Sequence, residues 1–288
     1  MNKYKTSYYI NKNQCAPCKK NLNNNKNFKS CYSKNSLIKI AKSWNLWNKN
    51  KIKIENSTRE NLWKQIQHNL KMQCNNNELC WKKQDFVKKL KDVEIELYTF
   101  KPKYPKEWLI NKYTWLNTYD IYYVMKQYEK LHTDFKFIGP IPSDCPVDIH
   151  CELSNFDVHK LKKNGIYKIG IIYNLDKSYQ SGSHWVAVYI DNKNNEINYY
   201  DSYGSLSTPL ISKFIKNIYN QYTKKNIQPI IIYNDKRHQW KNSECGVYSM
   251  NFILERISGK TMYDISTSSI PDEKMNNLRK LLYNINDK

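Results

Sequence analysis

Three short runs dense in β-branched and aromatic residues do most to limit what this chain can fold into. They are IYKIGIIY (166–173), HWVAVYI (184–190) and EINYYDS (196–202). Each is strand-like in length and content. DNKNNE (191–196) lies between the last two, so these should form a hairpin. QPIIIYN (228–234) reads as a further strand. Helical patterns surround this block. STPLISKFIKNIYNQY (207–222) opens with Ser207 or Thr208 as cap and Pro209 in the first turn. CGVYSMNFILERIS (245–258) and residues 272–284 supply two more helices, and WLNTYDIYYVMKQYEKL (115–131) precedes the strands. FIGPIPSDCPVDIH (137–150), with three prolines, is expected to be irregular. Strands in the middle with helices around them define an α+β domain.

The N-terminal part differs. SLIKIAKSWNLW (36–47) sets Leu37, Ile40, Ala41, Trp44 and Trp47 on one helical face. STRENLWKQIQHNL (57–70) begins with Ser57 and Glu60 in capping-box spacing, and WKKQDFVKKL (81–90) gives a third helix. Residues 1–34 are polar, Asn/Lys-rich and expected to be loosely ordered. TFKPKYPKEW (99–108) reads as a junction. The division expected is a small, basic, mostly helical arm domain over 1–98 and an α+β domain over 99–288.

The formal net charge is +21. Lys, Asn, Ile and Tyr are over-used, as an A/T-rich coding sequence would produce, so composition explains part of that charge. Layout adds to it: residues 1–50 hold eleven lysines and no Asp or Glu. A basic arm has two readings, a DNA or polyanion site or a solvated lysine face. No apolar stretch is long enough for a membrane span, and the first residues lack the apolar core of a secretory leader. The eight cysteines are therefore expected mostly as thiols. Cys15 and Cys18 in CAPC, with Cys31, raise zinc, but a fourth ligand would have to come from distant Cys74, Cys80 or His68. The five-residue gaps in Cys74/Cys80 and Cys145/Cys151 do not match a zinc knuckle. No metal is expected.

The chemistry concentrates late in the chain. Cys245 stands at the start of its helix, between Glu244 and Gly246. A helix N-terminus favours an anion, and an imidazole nearby would favour a thiolate–imidazolium pair. His184 begins one hairpin strand and Asp201 ends the other, so the hairpin brings ring and carboxylate together. Asp then holds the imidazole tautomer and stabilises the imidazolium. Gln239, six residues before Cys245, can fold back to donate to an oxyanion beside the Cys245 backbone N–H. His238, next to Gln239, could line the same site.

HWVAVYID, YYDSYG, Gln239 and ECGVYSMNF together resemble the Ulp-type (SUMO-specific) and adenain-like cysteine proteases. The likeness is strongest to the virus-encoded branch to which the African swine fever virus polyprotein protease belongs. WLNTYDIYYVM (115–125) is similar to that family's Trp-Leu-Asn-Asp helix. The resemblance implies a papain-like core with a mixed sheet, with Cys245 as nucleophile, His184 as base, Asp201 as orienter and Gln239 as oxyanion donor. It also implies Trp115 and Trp185 as roof of a narrow channel that admits glycine, hence cleavage after Gly-Gly. The motif's last acid, which helps hold the modifier's tail in SUMO proteases, is Thr118 here. That departure, with the basic arm, favours viral structural precursors as substrates, cut during virion maturation in the virion and in the host cytoplasm at the viral factory. Isopeptidase action on SUMO- or ubiquitin-like conjugates is the alternative, and a non-enzymatic basic virion protein the third. No cofactor is implied. Adenain is similar in being stimulated by nucleic acid, which makes DNA a candidate activator.

Overall fold

The computed structural model describes residues 14–23 and 28–285. They fall into two units, 14–104 with 281–285, and 105–280.

The first unit begins with a 3-10 helix, Pro17–Asn23, within the segment expected to be loose; residues 1–13 and 24–27 of that segment lie outside the described residues. Six helices follow: α1 (Lys34–Trp47), α2 (Arg59–Asn69), α3 (Lys71–Cys74), α4 (Glu78–Trp81), α5 (Asp85–Lys88) and α6 (Val93–Tyr98). Leu37, Ile40, Ala41 and Trp44 of α1 pack with Leu62, Ile66 and Leu70 around Trp81. Trp47 leaves that stripe: at the last turn of α1 it is 65% exposed, with Lys89 Nζ over its ring. The cap of α2 is Thr58, not Ser57, whose hydroxyl donates instead to the Lys53 carbonyl. The helix expected over 81–90 is two short ones, α4 and α5, parted at 82–84. Residues 281–285 join this unit because Asn284 exchanges backbone hydrogen bonds with Pro102 and Tyr104.

The second unit holds α7 (Glu107–Ile110), α8 (Thr118–Leu131), β1 (Phe135–Pro142), α9 (Val158–Lys163), β2 (Lys168–Asn174), β3 (Trp185–Asp191), β4 (Glu196–Tyr200), α10 (Pro209–Thr223), β5 (Ile230–Tyr233), α11 (Cys245–Ile257), α12 (Met262–Thr267) and α13 (Asp272–Leu282, to residue 280). The strands form one mixed sheet in the order β1-β2-β3-β4-β5, with β2-β3-β4 antiparallel and the outer pairs parallel. The fold is α+β, as expected. Alternation along β3 sends Val186, Val188 and Ile190 to one face, where Ile211, Phe214, Ile215 and Ile218 of α10 cover them. Ala187 and Tyr189 face α11, where Phe252 meets Tyr189 and stacks on Tyr200. Both faces are buried, so the central strand reads as a continuous apolar run.

β1 corrects the expectation of irregular structure over 137–150. Phe135–Pro142 pairs in parallel with β2, with a register shift between Ile138 and Ile141. An edge strand tolerates proline because one row of its N–H groups is not needed by the ladder. Gly139 takes φ +106° at that bulge, where a Cβ would meet the Ile172 carbonyl oxygen at 2.7 Å. Only glycine fits there.

The thiol expectation is also corrected. Disulfides join Cys15–Cys31, Cys74–Cys80 and Cys145–Cys151, with Cα separations of 5.1, 5.4 and 5.9 Å. These separations suit a bridge. Cys18 and Cys245 take no part in a disulfide. Two of the three thiols that raised zinc, Cys15 and Cys31, are thus bonded to each other. Among the described residues, no helix is long and apolar enough to cross a membrane.

Candidate active site

α11 carries Cys245 at its first position. Every residue of the helix is buried, and Cys245 is 2% exposed. A helix buried on every side sits in the core, which fixes the thiol's place. Gly246 lets the helix approach β3: a Cβ there would meet Trp185 Cδ1 at 3.2 Å, and Ile121 and Leu116 at 3.3 Å. Ser249 Oγ donates to the Trp185 carbonyl at 3.1 Å and locks the same junction.

The hairpin supplies the next two groups. Ala187 pairs with Tyr200, so the start of β3 lies beside the end of β4. His184 Nε2 and Asp201 Oδ1 are 2.7 Å apart. Asp201 accepts a second bond from the Tyr203 N–H at 2.8 Å, and its carbonyl accepts from Asn234 Nδ2. Burial opposes a charged His184, but hydrogen bonds to Asp201 and Cys245 and their charges outweigh it, and its pKa rises to about 9. With Nε2 turned to Asp201, Nδ1 is the ring nitrogen left for the thiol. Tyr203 stacks on the imidazole at 4.7 Å.

Gln239 comes from the loop between β5 and α11. Its N–H donates to the Ser202 carbonyl at 2.9 Å. Its side-chain Oε1 accepts from Ser202 Oγ at 2.6 Å, and Nε2 donates to the Lys241 carbonyl. That pattern fixes the orientation of the amide. The Cys245 backbone N–H, first in its helix, has no intrahelical acceptor.

His184, Asp201, Gln239 and Cys245 are thus gathered from four segments. Trp185 donates from Nε1 to the Leu116 carbonyl at 3.1 Å, which brings its indole against the segment bearing Trp115. Trp115 itself is 44% exposed. α8 behind it begins at Thr118, with Asn117 and Asp120 forming a capping box. His238 faces elsewhere: Nδ1 meets Tyr200 Oη at 2.9 Å and Nε2 the Ser266 carbonyl at 3.0 Å, a buried structural role. Sequence reasoning missed Ser202, Tyr203 and a buried pair behind the thiol, Glu244 with Arg279. Ser202 was open to discovery as the neighbour of Asp201. Arg279, on a separate helix, carried no local signal. Among the described residues no group of three or more His, Cys, Asp or Glu could hold a metal ion.

Residues 160–287 match the Ulp1 protease family, C-terminal catalytic domain. A protein of Acanthamoeba polyphaga mimivirus assigned as a thiol protease is 32% identical over 290 residues, spanning 94% of this chain and 93% of that one. A SUMO-1 cysteine protease of African swine fever virus is 28% identical over 130 residues, 44% of this chain and 47% of its own length. The crystal structure of the African swine fever virus protease superposes with a TM-score of 0.66 at 21% identity, covering 96% of this chain and 97% of that one, and shows the same fold. The chain therefore belongs to the Ulp1 family of cysteine proteases, in the branch carried by large DNA viruses.

Proposed function

We propose that this thiol protease is an endopeptidase that cuts viral polyprotein or structural precursors after Gly-Gly during virion maturation. The observation that carries the catalytic reading is the imidazole of His184 held between Asp201 and Cys245. Cys245 acts as the thiolate and His184 as the imidazolium. The Cys245 sulfur adds to the scissile carbonyl, whose oxygen takes up the negative charge. The free N–H of Gln239 and the Cys245 amide stabilise that oxyanion. His184 gives its proton to the leaving amine, and the C–N bond breaks to leave a thioester on Cys245. His184 then takes a proton from water, which attacks the thioester and releases the acid, and the thiolate–imidazolium pair is restored. These steps call on no metal or organic cofactor.

Gly-Gly specificity rests on the approach to the thiol. Trp185 packs against Gly246 and is tied to the segment bearing Trp115. A channel roofed by two indoles would admit backbone without side chains.

A second reading has one observation in its favour, the relative named a SUMO-1 cysteine protease. It is isopeptidase action on ubiquitin-like conjugates, with identical chemistry. Thr118, in place of the acid that helps hold the modifier's tail, weighs against it. The basic arm, with 21 basic and 7 acidic residues over 1–100, would bind DNA or an acidic precursor and concentrate the enzyme in the particle and the viral factory. Such binding should weaken as salt is raised.

The test is a panel of Gly-Gly-X peptides and a ubiquitin-like fusion, offered to wild type and Cys245→Ala. Cys245-dependent cleavage of the peptides supports precursor processing. Cleavage of the fusion alone selects the isopeptidase, and cleavage unaffected by Cys245→Ala sinks both.

A further inference from the structure

Beside the catalytic residues lies a groove of about 500 Å³ that the mechanism above does not use. Tyr113, Tyr203, Arg237, Trp240 and Lys241 line most of it. It is continuous with the site, because Tyr203 is the residue stacked on His184 and Arg237 Nε donates to the Gln239 carbonyl at 2.8 Å. The Arg237 guanidinium stands 5.2 Å from the Tyr203 ring centroid and 4.7 Å from that of Trp240. Two aromatic faces hold it in place and strip part of its hydration. Trp240 is 70% exposed, so its indole is open to a ligand in the groove. Lys241 Nζ lies over Tyr113 at 5.2 Å.

The charge balance favours an anion. The carboxylates of Asp201, Asp272 and Glu273 stand nearby, and all are engaged: Asp201 holds His184 and the Tyr203 N–H. Asp272 accepts from the N–H groups of Trp240 and Lys241 and from Tyr248 Oη. Glu273 pairs with Lys112 at 2.9 Å and accepts from Tyr113 Oη. Arg237 has no ion-pair partner among the described residues, and its two terminal nitrogens are left for a ligand. A pinned guanidinium with both ends open matches a carboxylate bidentately.

Position says which part of a substrate arrives there. His184 has to reach the leaving amine, and Tyr203 covers one face of its ring. Trp185, the next residue along the chain, packs against Gly246. A substrate whose residues before the cut bond run along Trp185 would carry the residues after it over Tyr203 into the groove.

We propose that this groove is a specificity subsite for the leaving-group side of the substrate, and that Arg237 there selects an aspartate or glutamate within the first few residues after the cut. The assignment rests on the protease reading above. It implies that the preferred junctions are glycine-rich on one side and acidic on the other.

The experiment measures kcat/KM for Gly-Gly peptides carrying Asp, Asn or Lys at each of the first three positions after the cut. Wild type, Arg237→Gln and Arg237→Lys are compared at low and high ionic strength. The expected result is a preference of about tenfold for Asp over Lys at one position. It should shrink with salt, vanish in Arg237→Gln and survive in part in Arg237→Lys. Each variant is judged by its ratio between peptides, so a general loss of activity leaves the readout intact. Equal rates for Asp and Lys peptides in wild type would overturn the subsite alone, as would a preference that persists in Arg237→Gln. No cleavage of any peptide by wild type would overturn the protease reading and the subsite with it.

Discussion

Arg279 grips Glu244 with two nitrogens, Nε at 3.0 Å from Oε2 and Nη2 at 3.0 Å from Oε1, and the two side chains are 0% and 1% exposed. Glu244 is the residue before Cys245. Left alone, its charge would sit buried at the mouth of α11 and oppose a thiolate. Arg279 cancels that charge, and Asn276 Nδ2 adds a bond to Oε1 at 2.7 Å. Arg279 also donates to the Thr114 carbonyl and has the Trp108 ring 4.5 Å away. Arg279→Met should therefore cost about 3–5 kcal/mol, because it strands a buried carboxylate. Glu244→Gln combined with Arg279→Met should recover part of the loss. Denaturant melts of the three variants, followed by near-UV signal, check both expectations.

The raised pKa of His184 sets the pH dependence. The imidazolium that protonates the leaving amine persists to about pH 9. Activity should fall as the pH rises through that value. Asp201→Asn removes the carboxylate that holds the proton, so the alkaline limb should move down toward the ordinary histidine value of about 6.5, and kcat should drop by roughly 10²-fold or more. The same sign applies to stability. The contribution of protonated His184 is complete below about pH 6.5 and is lost as the pH climbs through about 9. A pH–rate profile of the two proteins, with an unmoved limb in Asp201→Asn as the contrary result, decides this.

On the proposed role of Gln239 as oxyanion donor, Gln239→Ala should lower kcat by about 10²–10³-fold with little change in KM. Ser202→Ala should have a smaller effect in the same direction, because Ser202 Oγ orients that amide. A rise in KM at constant kcat in either variant would assign these residues to ground-state binding instead.

Trp115 is exposed enough for its removal to leave the core intact. Trp115→Ala should relax the demand for glycine before the cut. The ratio of kcat/KM for Gly-Gly over Ala-Gly peptides is the measurement, and it should fall toward unity.

The disulfide pairing has its own test. Alkylation of the unfolded, unreduced chain should label Cys18 and Cys245 alone, with the other six cysteines labelled only after reduction. Labelling of Cys74 or Cys145 without reductant contradicts the pairing.

Much of the fold was legible in the sequence because its signals are local. The β3–β4 hairpin and α11 announce themselves by apolar runs and turn residues, and these elements place His184, Asp201 and Cys245. Gln239 was legible through its spacing to Cys245. β1 was not, since Pro140 and Pro142 argue for a loop until the strand is known to be an edge strand with a bulge. Trp47 fitted a helical stripe, yet sits at a helix end where the core stops. Arg279 and Glu244 meet across 35 residues, and Arg237 gains meaning only when Tyr203 folds over it. Such pairings follow from tertiary packing, which no spacing rule reports. The thiol expectation failed for a different reason. It was drawn from compartment, whereas the pairing follows from Cα atoms that the fold brings within bridging distance.

If Cys245 is the nucleophile of a Gly-Gly protease, an electrophile delivered by a Gly-Gly peptide should trap it. The most direct measurement is peptide mapping by mass spectrometry after reaction with a peptide ending in Gly-Gly and a thiol-reactive electrophile in place of the scissile bond. The expected result is one adduct per chain, on Cys245, formed far more slowly in His184→Ala and blocked by Cys245→Ala. An adduct on Cys18, or no adduct while Cys245 remains a free thiol, would contradict it.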